Sequence, residues 1–291
     1  MERTELAAIT VPRLSAQIAS FCYPDGTVAL SDISLEVMQG EFCGILGSNG
    51  SGKTTLLKVL DGIVKDFSGT VLLDGDEIRR LSPRAIYGKM GLVFQNPDDQ
   101  LFAHSVYEDV AFGPRNMGLG EAEVDRRVSG ALEAVEMAGL ARKDIQNLSY
   151  GQKKRVCIAG LLAMGHEILL LDEPTAGLDP MGEHRMMELL TRLNRESGVT
   201  IVMATHSVDL VPVFLTRLHV LSRGGLVRSG TPEEVFHSPE ELANVKLRLP
   251  YIAELIYRLR VDDNLPFKRL PLTIGEARRE ILETIGGREP A

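Results

Sequence analysis

The sequence predicts an α/β fold built around a buried, largely parallel sheet. Short apolar runs recur along the 291 residues in the manner of strands covered on both faces, and segments of helical character separate them. A glycine-rich stretch, 47–54, follows one of these runs and precedes a helical segment. The order of strand, glycine-rich loop and helix, set among alternating strands and helices, indicates an α/β architecture.

The strand predictions begin near the amino terminus. Residues 32–37 alternate polar and apolar side chains as a half-buried strand does, whereas Phe42–Leu46 is a compact apolar run. Residues 54–60 follow the glycine-rich stretch and have helical character. Further short apolar runs predict buried strands at 71–73, 91–94, 168–171, 199–204 and 218–221. Such strands form a sheet whose edge can present polar residues to a ligand.

Helical signals dominate two later stretches. The stretch 97–165 has few strand signals and a helical pattern at 121–138, which predicts a helical insertion. A helix at 181–196 has Pro180 before it and Gly198 after it, which are the usual start and stop residues. Both stretches fit helices that cover the faces of a sheet.

The pattern changes beyond residue 237, where amphipathic helical segments are interrupted by Pro250, Pro266 and Pro271. We therefore predict one large α/β domain over 1–237, with the helical insertion as its helical subdomain. Residues 238–291 are predicted to form a small C-terminal helical extension, which is a candidate for dimerisation.

Composition and charge exclude several classes of protein. The formal net charge of −8 and the pI near 5.4 argue against a broad basic surface for nucleic acid. Three scattered cysteines, with no CxxC pair, predict neither a disulfide framework nor a zinc site. The most apolar stretch, 156–165, is about half the length that spans a bilayer. A transport role would therefore need other subunits to form the pore.

The glycine-rich stretch matches the phosphate-binding pattern GxxxxGK[ST]. Glycines let backbone N–H groups turn toward phosphate oxygens, and the N-terminus of the following helix adds positive potential. Lys53 is expected to reach the β and γ phosphates, and Thr54 to bind Mg²⁺. The alternative, a chance glycine turn, is disfavoured by the strand and helix on either side. The predicted ATP-binding residues here are Gly47, Ser48, Asn49, Gly50, Ser51, Gly52, Lys53, Thr54 and Thr55.

Two adjacent carboxylates follow another apolar run. Residues 168–171 lead directly into Asp172 and Glu173, so a buried strand would present both acids at its carboxyl end, where ligands bind in open α/β sheets. Asp172 is then expected to hold Mg²⁺, and Glu173 to orient and polarise the water that attacks ATP. Taken alone, two acids after a strand are more often a helix cap or a solvated turn. The phosphate-binding pattern in the same chain favours the catalytic interpretation.

A second set of motifs resembles those of one family of ATPases. Residues 148–155 read LSYGQKKR, residues 175–179 read TAGLD, and His206 follows a predicted strand. These motifs are similar to those of the ABC ATPases. The resemblance implies a P-loop NTPase cassette that has a RecA-like α/β core, a β subdomain and a helical subdomain.

The same resemblance implies a dimer, of the chain with itself or with a paralogue. In the family, the signature loop of one subunit covers the γ-phosphate held by the P-loop of the other. By motif matching, Ser149 and Gly151 make that contact, and Gln152 and Asp179 join the ATP-binding residues. Tyr150 departs from the family pattern, which has glycine there. Its small neighbours still permit close backbone approach to a phosphate.

Three further residues take roles from the resemblance. Gln95 matches the Q-loop residue that is expected to reach the metal and the water, and His206 matches the residue that contacts the γ-phosphate. A lone histidine is more often structural, but its place after a predicted strand favours a catalytic role. The implied Mg²⁺ ligands are Thr54, Gln95 and Asp172, and the implied catalytic residues are Glu173, His206 and Gln95.

Tyr23 matches the aromatic residue that stacks on adenine in these ATPases. The alternative is an aromatic side chain that anchors the turn at 24–26, since the sequence Pro-Asp-Gly is typical of turns.

Several stretches narrow the resemblance to the energy-coupling-factor branch, and within it to the cobalt or nickel ATPases. They read YPDGT at 23–27, FQNPDDQLF at 94–102, EDVAFGPRNMGL at 108–119 and THSVDLVP at 205–212. The resemblance implies a peripheral protein at the cytoplasmic face of the membrane, which hydrolyses ATP. Its implied partners are an integral-membrane coupling subunit and a substrate-specificity subunit. Asp98 and Asp99 are candidates to pair with basic side chains of the coupling subunit, and the alternative is a solvated acidic turn.

Three alternatives remain open at this point. A shared energy-coupling module for vitamins would carry the same ATPase motifs. A soluble ABC protein that acts on nucleic acid or the ribosome commonly has two cassettes or long inserts, neither of which is present in the sequence. A nucleotide switch that scarcely hydrolyses ATP is disfavoured by Glu173 and His206. The histidines are scattered, so no cargo site for a metal is predicted.

Overall fold

The computed structural model describes residues 11–286, and within them ten strands form two sheets. The strands are β1 (Leu14–Cys22), β2 (Val28–Val37), β3 (Phe42–Leu46), β4 (Ser68–Leu73), β5 (Asp76–Glu77), β6 (Met90–Val93), β7 (Ile168–Asp172), β8 (Thr200–Thr205), β9 (Arg217–Ser222) and β10 (Gly225–Gly230). The helices are α1 (Lys53–Leu60), α2 (Pro83–Tyr87), α3 (Val106–Asn116), α4 (Glu121–Ala134), α5 (Tyr150–Met164), α6 (Pro180–Ser197), α7 (Val211–Phe214), α8 (Pro232–Val235), α9 (Pro239–Asn244), α10 (Tyr251–Val261) and α11 (Ile274–Gly286). This alternation confirms the predicted α/β class.

The larger sheet has the strand order β10-β9-β3-β8-β7-β6. Pairing is parallel from β9 to β6, and β10 closes the edge as an antiparallel hairpin with β9. Alternate residues of β3 enter two cores, with Phe42 and Leu46 in one and Cys43 and Ile45 in the other. Burial on both faces explains why this strand is a continuous apolar run.

The parallel pairing brings the carboxyl ends of three strands to one edge of the sheet. Leu46 at the end of β3 is in register with Thr205 of β8, and Asp172 at the end of β7 is in register with Ala204. The glycine-rich loop follows β3, the acidic pair lies at the end of β7, and His206 follows β8. The sequence motifs therefore converge where ligands bind in sheets of this kind.

The smaller sheet is antiparallel and has the strand order β2-β1-β4-β5. The inward residues Leu14, Ala16 and Ile18 of β1 are buried in the core beneath it. The sequence interpretation did not predict β1 or β10. Both strands are rich in small or polar residues, so their conformation depends on pairing with neighbours more than on an apolar run.

Helices α3, α4 and α5 pack on one another in the region of the predicted helical insertion. Helix α4 ends at Ala134, earlier than the predicted 138. Glu136 has a left-handed φ of 61°, which an α-helix does not accommodate, and the N–H of Met137 donates to the Leu132 carbonyl oxygen at 2.7 Å. The local turn therefore ends the helix although the apolar pattern continues.

The C-terminal region joins the main core before it forms a small core of its own. Leu242 and Ala253 are buried in the larger core. The small core consists of Ile256, Phe267 and Ala277. The domain boundary between 237 and 238 stays a prediction. None of the helices in residues 11–286 has both the length and the apolar character needed to cross a bilayer.

Candidate active site

The loop between β3 and α1 has the backbone that its glycines predict. Gly50 and Gly52 have φ values of 77° and 105°, a region that other residues rarely adopt. A Cβ atom at Gly52 would lie 2.7 Å from the Ala29 carbonyl oxygen, and one at Gly47 would lie 2.5 Å from the Leu221 carbonyl oxygen. The backbone is therefore packed too closely for side chains at these positions. Helix α1 begins directly after Gly52 and leaves its first N–H groups at the loop.

Lys53 is the first residue of α1 and is only 6% exposed. Its Nζ donates to the carbonyl oxygens of Gly47 at 2.9 Å and Ser48 at 3.3 Å, and it lies 3.3 Å from Glu173 Oε1. A buried ammonium group requires such partners because burial removes its hydration. The loop therefore holds a cation beside the N–H groups expected to bind phosphate.

Thr54 and Asp172 form the part of the site that fits a magnesium ion. Thr54 Oγ1 donates to Asp172 Oδ2 at 2.7 Å. Burial raises the pKa of the Asp172 carboxyl group, and the hydrogen bond from Thr54 opposes that effect. Asp172 Oδ1 is buried and has no hydrogen-bond partner among residues 11–286. A hydroxyl and a carboxylate oxygen are ligands that Mg²⁺ prefers, so the orphaned oxygen fits this ion.

Glu173 lies beside both Lys53 and His206. Its carboxylate is buried, and Oε2 is 2.9 Å from Nδ1 of His206, whereas Oε1 faces the Lys53 ammonium group. The backbone of Glu173 has a left-handed φ of 48°, which is uncommon for a residue with a side chain. Such strain often occurs at functional sites. The carboxylate is thus held between a phosphate-binding cation and an exposed histidine.

One cavity of about 530 Å³ is lined by half of the predicted site residues, and we call it the nucleotide cavity; Asp172 and His206 lie beside its wall and are not part of it. Its volume is in the range of small-molecule sites. The wall includes Tyr23, Asn49, Gly50, Gly52, Lys53, Thr54, Thr55, Gln95 and Glu173. A cavity of about 560 Å³ at the C-terminal extension contains none of the motif residues.

Tyr23 has features of both interpretations drawn from the sequence. Its ring is 38% exposed on the wall of the nucleotide cavity, packed edge to face against Phe21 at 5.0 Å between centroids. Its hydroxyl lies 2.8 Å from Thr55 Oγ1. Its carbonyl oxygen accepts from the Gly26 N–H at 2.9 Å, so the residue also anchors the turn. The adenine-stacking role stays a prediction.

Ser149, Gly151 and Gln152 lie on the wall of a different cavity of about 320 Å³, which we call the signature cavity. Ser149 caps α5, and its side chain accepts from the Gln152 N–H while the Gln152 side chain accepts from the Ser149 N–H. Asp179 caps α6 by accepting from the Gly182 N–H at 2.6 Å. A single chain does not bring these residues into the nucleotide cavity.

The turn between β9 and β10 was missed by the sequence interpretation. Arg223 and Gly224 line the nucleotide cavity, and the Gly224 N–H donates to the Ser51 carbonyl oxygen at 2.9 Å. The available signal was the Arg-Gly-Gly sequence at 223–225, because adjacent glycines between strand-like runs are typical of hairpin turns. The contact with the phosphate-binding loop has no local sequence signal.

Comparison with known proteins identifies the class to which this site belongs. A family model described as ABC transporter matches residues 30–176. A Geobacter sulfurreducens protein named as an ABC transporter ATP-binding protein is 72% identical over 271 residues, 93% of this chain and 97% of that protein. The chain belongs to the ABC transporter family, and it is an ATP hydrolase of that family.

Relatives within the family are of the energy-coupling-factor type. The energy-coupling factor transporter ATP-binding protein EcfA of Methanococcus maripaludis is 48% identical over 94% of this chain and 99% of its own length. The structure of cbiO1 from Clostridium perfringens, part of the ABC transporter complex cbiONQ, has a TM-score of 0.74 at 43% identity, over 84% of this chain and 99% of that one. The predicted resemblance to the energy-coupling-factor ATPases is confirmed.

A second solved structure is similar in fold and dimeric. The ATP-binding cassette MJ0796, in a post-hydrolysis state with ADP and Pi, has a TM-score of 0.67 at 29% identity over 75% of this chain and 98% of that one. Together the structural neighbours confirm the predicted ABC cassette fold. The chain is thus the ATP-binding subunit of an energy-coupling-factor type of ABC transporter.

Proposed function

We propose that this chain powers an importer of cobalt or nickel ions by binding MgATP in a dimer and hydrolysing it at Glu173. The observation that carries the proposal is a continuous set of side-chain contacts that joins residues of the nucleotide cavity wall to Asp172 and His206 beside it. Thr54 bonds to Asp172, and Lys53 lies beside Glu173, which in turn meets His206. Binding of phosphate, binding of metal and activation of water therefore have separate side chains at adjacent positions.

Each side chain has one task in this proposal. The loop N–H groups and Lys53 would hold the triphosphate, and Thr54, Gln95 and Asp172 would hold Mg²⁺, which would supply positive charge for the phosphoryl oxygens. Glu173 orients the attacking water by accepting its hydrogen bond, and His206 contacts the γ-phosphate. Burial of Glu173 strengthens its electrostatic interactions because little water screens them.

The dimeric arrangement explains the location of the signature residues. Ser149 and Gly151 are exposed or half-exposed in the signature cavity, away from the P-loop of their own chain. In a symmetric dimer each contact between the two subunits occurs twice. Each signature cavity can therefore complete the nucleotide cavity of the other chain. The dimer of MJ0796 supports this proposal by similarity.

A surface near the Q-loop fits the proposed integral-membrane coupling subunit. Phe102 and Phe112 are 65% and 48% exposed, and their rings pack edge to face at 4.7 Å between centroids. Two large exposed aromatic side chains in contact are unusual for a free surface and are enriched at interfaces. Asp98 pairs with Lys153 of its own chain at 2.6 Å, so it is less available to a partner than its sequence suggests.

The cargo is proposed from the relatives. The cobalt or nickel assignment rests on the sequence resemblance and on similarity to cbiO1, which is named as part of a cbiONQ complex. A vitamin module remains the second candidate because EcfA, at 48% identity, is named as an energy-coupling factor transporter ATP-binding protein without a stated cargo. No group of three or more His, Cys, Asp or Glu side chains forms a metal cluster within the described part of the chain. The proposed substrate-specificity subunit would therefore select the cargo.

Uptake of radioactive ions by cells tests this proposal. The chain is produced with the membrane proteins encoded beside its gene, and uptake of cobalt, nickel and a vitamin is measured in parallel with a Glu173→Gln variant. We expect uptake of cobalt or nickel that the variant abolishes, and membrane subunits that co-purify equally with both forms. Uptake of the vitamin alone would show that the assigned cargo is wrong. Full activity of the variant would show that Glu173 does not have the proposed catalytic role.

A further inference from the structure

We infer that Lys154 and Tyr150 of helix α5 are positioning residues for hydrolysis, which fix the backbone at Glu173 and link it to the Q-loop. The inference rests on the proposed role of Glu173. Tyr150 stands where the family pattern has glycine, and Lys154 follows it by one helical turn on the same face. Neither residue contributes to the nucleotide cavity wall.

Lys154 is almost completely buried, with 1% of its surface exposed. Its Nζ donates to the Glu173 carbonyl oxygen at 2.6 Å. Burial lowers the pKa of its ammonium group to about 8, although the charge of Glu173 opposes the shift. A chain rarely buries a lysine for packing alone, because an aliphatic side chain fills the same space without the loss of hydration. The contact with Glu173 is therefore the feature that explains a cation at this position.

The hydrogen bond acts on a strained part of the backbone. Glu173 has a left-handed φ of 48°, and its N–H donates to the Ala204 carbonyl oxygen at 3.0 Å. Its carbonyl oxygen accepts from Lys154 and also from the Ala176 N–H at 3.1 Å. These bonds fix both peptide groups of Glu173 and thereby the direction of its side chain. Loss of the Lys154 donor would leave this conformation less well determined.

Tyr150 makes three contacts that a glycine could not make. Its hydroxyl donates to the Gln95 carbonyl oxygen at 3.2 Å, and its ring lies 5.3 Å from the Lys154 ammonium group. The ring also occupies the space over Gly177, where a Cβ atom would approach it to 2.9 Å. Tyr150 thus connects the start of α5, the Q-loop and the turn after Glu173.

The position of these residues on α5 gives the contacts a mechanistic consequence. Ser149, which caps α5, is the residue proposed to meet the ATP of the other subunit. Lys154 joins the same helix to the glutamate proposed to act on the chain's own ATP. If α5 moves when the proposed dimer closes, we expect this hydrogen bond to transmit the movement to the backbone of Glu173.

Steady-state hydrolysis by the full-length protein tests Lys154. Lys154→Met removes the donor while keeping an unbranched apolar side chain, and Lys154→Gln keeps a donor on a shorter side chain. Arg127→Met is the matched control, because Arg127 also donates to carbonyl oxygens of α5, those of Ala163 and Met164, at the opposite end of the helix. We expect Lys154→Met to lower kcat about tenfold or more with KM for ATP nearly unchanged. Lys154→Gln should recover at least part of that loss, and Arg127→Met should leave kcat unchanged.

Tyr150→Phe provides a second test that does not depend on a buried charge. It removes only the hydroxyl that reaches Gln95, and Tyr107→Phe removes the hydroxyl that bonds to exposed Asp125 in the same subdomain. We expect kcat to fall about threefold for Tyr150→Phe, as for loss of one hydrogen bond, and to be unchanged for Tyr107→Phe. If Lys154→Met does not fold, Lys154→Gln and Tyr150→Phe decide the question.

Three outcomes would overturn the inference. They are parental kcat in Lys154→Met, a change in KM without a change in kcat, and equal losses in the variants and their matched controls. A Glu173→Gln variant is measured alongside, because it distinguishes failure of the positioning role from failure of the proposed function. If Glu173→Gln is inactive while the Lys154 and Tyr150 variants are normal, only the positioning role is wrong. If Glu173→Gln hydrolyses ATP normally, the proposed catalytic role itself is wrong.

Discussion

The nucleotide cavity and the signature cavity differ in how their polar groups are used. At the nucleotide cavity, Lys53 of the wall is a cation held at the glycine-rich loop, and Asp172, bonded to Thr54 of the wall, has an orphaned oxygen, so both retain capacity for a ligand. In the signature cavity, the Ser149 side chain already accepts a hydrogen bond from its own helix. In the proposed dimer the first cavity would therefore carry the chemistry, and the second would complete the nucleotide cavity of the other chain. Under that proposal each chain contains two unequal halves of a site.

Removal of the cation from the nucleotide cavity should have the largest effect. Lys53→Ala deletes the buried ammonium group and leaves the Glu173 carboxylate without its closest cation. We expect ATP affinity to fall about 10- to 100-fold, because a charged hydrogen bond contributes 1.5–3 kcal/mol as a rough value. Binding of a fluorescent ATP analogue measures the loss. Lys65→Ala, at an exposed lysine beyond the end of α1, is the control, and equal affinities for both variants would contradict the assignment.

Mixing two defective chains tests whether the two cavities combine across a dimer. Gly151→Asp places a charge in the signature cavity, and a Cβ atom there meets only Leu178 at 3.2 Å, so the fold should tolerate it. Each of Lys53→Ala and Gly151→Asp should be inactive alone. When equal amounts are mixed before ATP is added, half of the dimers contain one intact composite site. Hydrolysis should then recover to at most about a quarter of the parental rate.

The control for this mixing experiment is the double variant with both substitutions in one chain. When this double variant is mixed with the parental protein in the same proportion, each mixed dimer contains one intact chain and one chain that lacks both halves of the site. No recovery in the mixture of single variants would mean that the signature residues act in their own chain or not at all.

Replacement of Asp172 should separate metal binding from nucleotide binding. Asp172→Asn keeps the shape of the side chain but removes the negative charge next to Thr54. We expect the Mg²⁺ concentration for half-maximal hydrolysis to rise about tenfold or more, with ATP binding in the absence of Mg²⁺ not weakened. Titration of Mg²⁺ at saturating ATP measures this shift. An unchanged requirement would show that Asp172 does not hold the ion.

Much of the fold could be predicted because its signals are local. Strands β3, β7 and β8 are largely continuous apolar runs, because both of their faces are buried. Helix α6 begins at Pro180 and ends just before Gly198, which are the predicted start and stop residues. Strands β1 and β10 had no such signal, because pairing with neighbours fixes their conformation. The early end of α4 also depends on backbone geometry at Glu136 and not on the apolar pattern.

The site was partly predictable for a related reason. Parallel strands bring their carboxyl ends together, so motifs that follow β3, β7 and β8 had to converge. The hydrogen bond from Lys154 to the Glu173 carbonyl oxygen joins residues on different elements. The spacing of Tyr150 and Lys154 indicates one helix face, but only the tertiary structure identifies what that face contacts.

Asp61 is a second buried carboxylate, and it lies outside both cavities. Its replacement has the smallest expected effect of the changes discussed, and comparison with it sharpens the interpretation of Asp172. Asp61 ends α1 at the opposite end from the phosphate loop and is 3% exposed. Its Oδ1 has no hydrogen-bond partner in the described portion of the chain, and burial raises the pKa of its carboxyl group to about 7. Asp172 accepts a hydrogen bond from a hydroxyl group, whereas no hydroxyl of residues 11–286 bonds to Asp61. We therefore expect the orphaned oxygen of Asp61 to lower stability.

The sign of the pH effect follows from the raised pKa. Between the ordinary carboxyl pKa of 3.8 and the raised pKa of about 7, the folded chain keeps the Asp61 proton while the unfolded chain releases it, so stability falls as pH rises through this window. Above it the penalty is constant. Asp61→Asn should remove this slope and raise the free energy of unfolding at pH 8 by about 1–3 kcal/mol, with about half of that gain at pH 5.5. Urea unfolding at both pH values measures the difference, and exposed Asp66→Asn is the control. An equal change in the free energy of unfolding at both pH values would mean that Asp61 keeps its charge in the folded chain. Asp61 and Asp172 would then not differ in the way argued above.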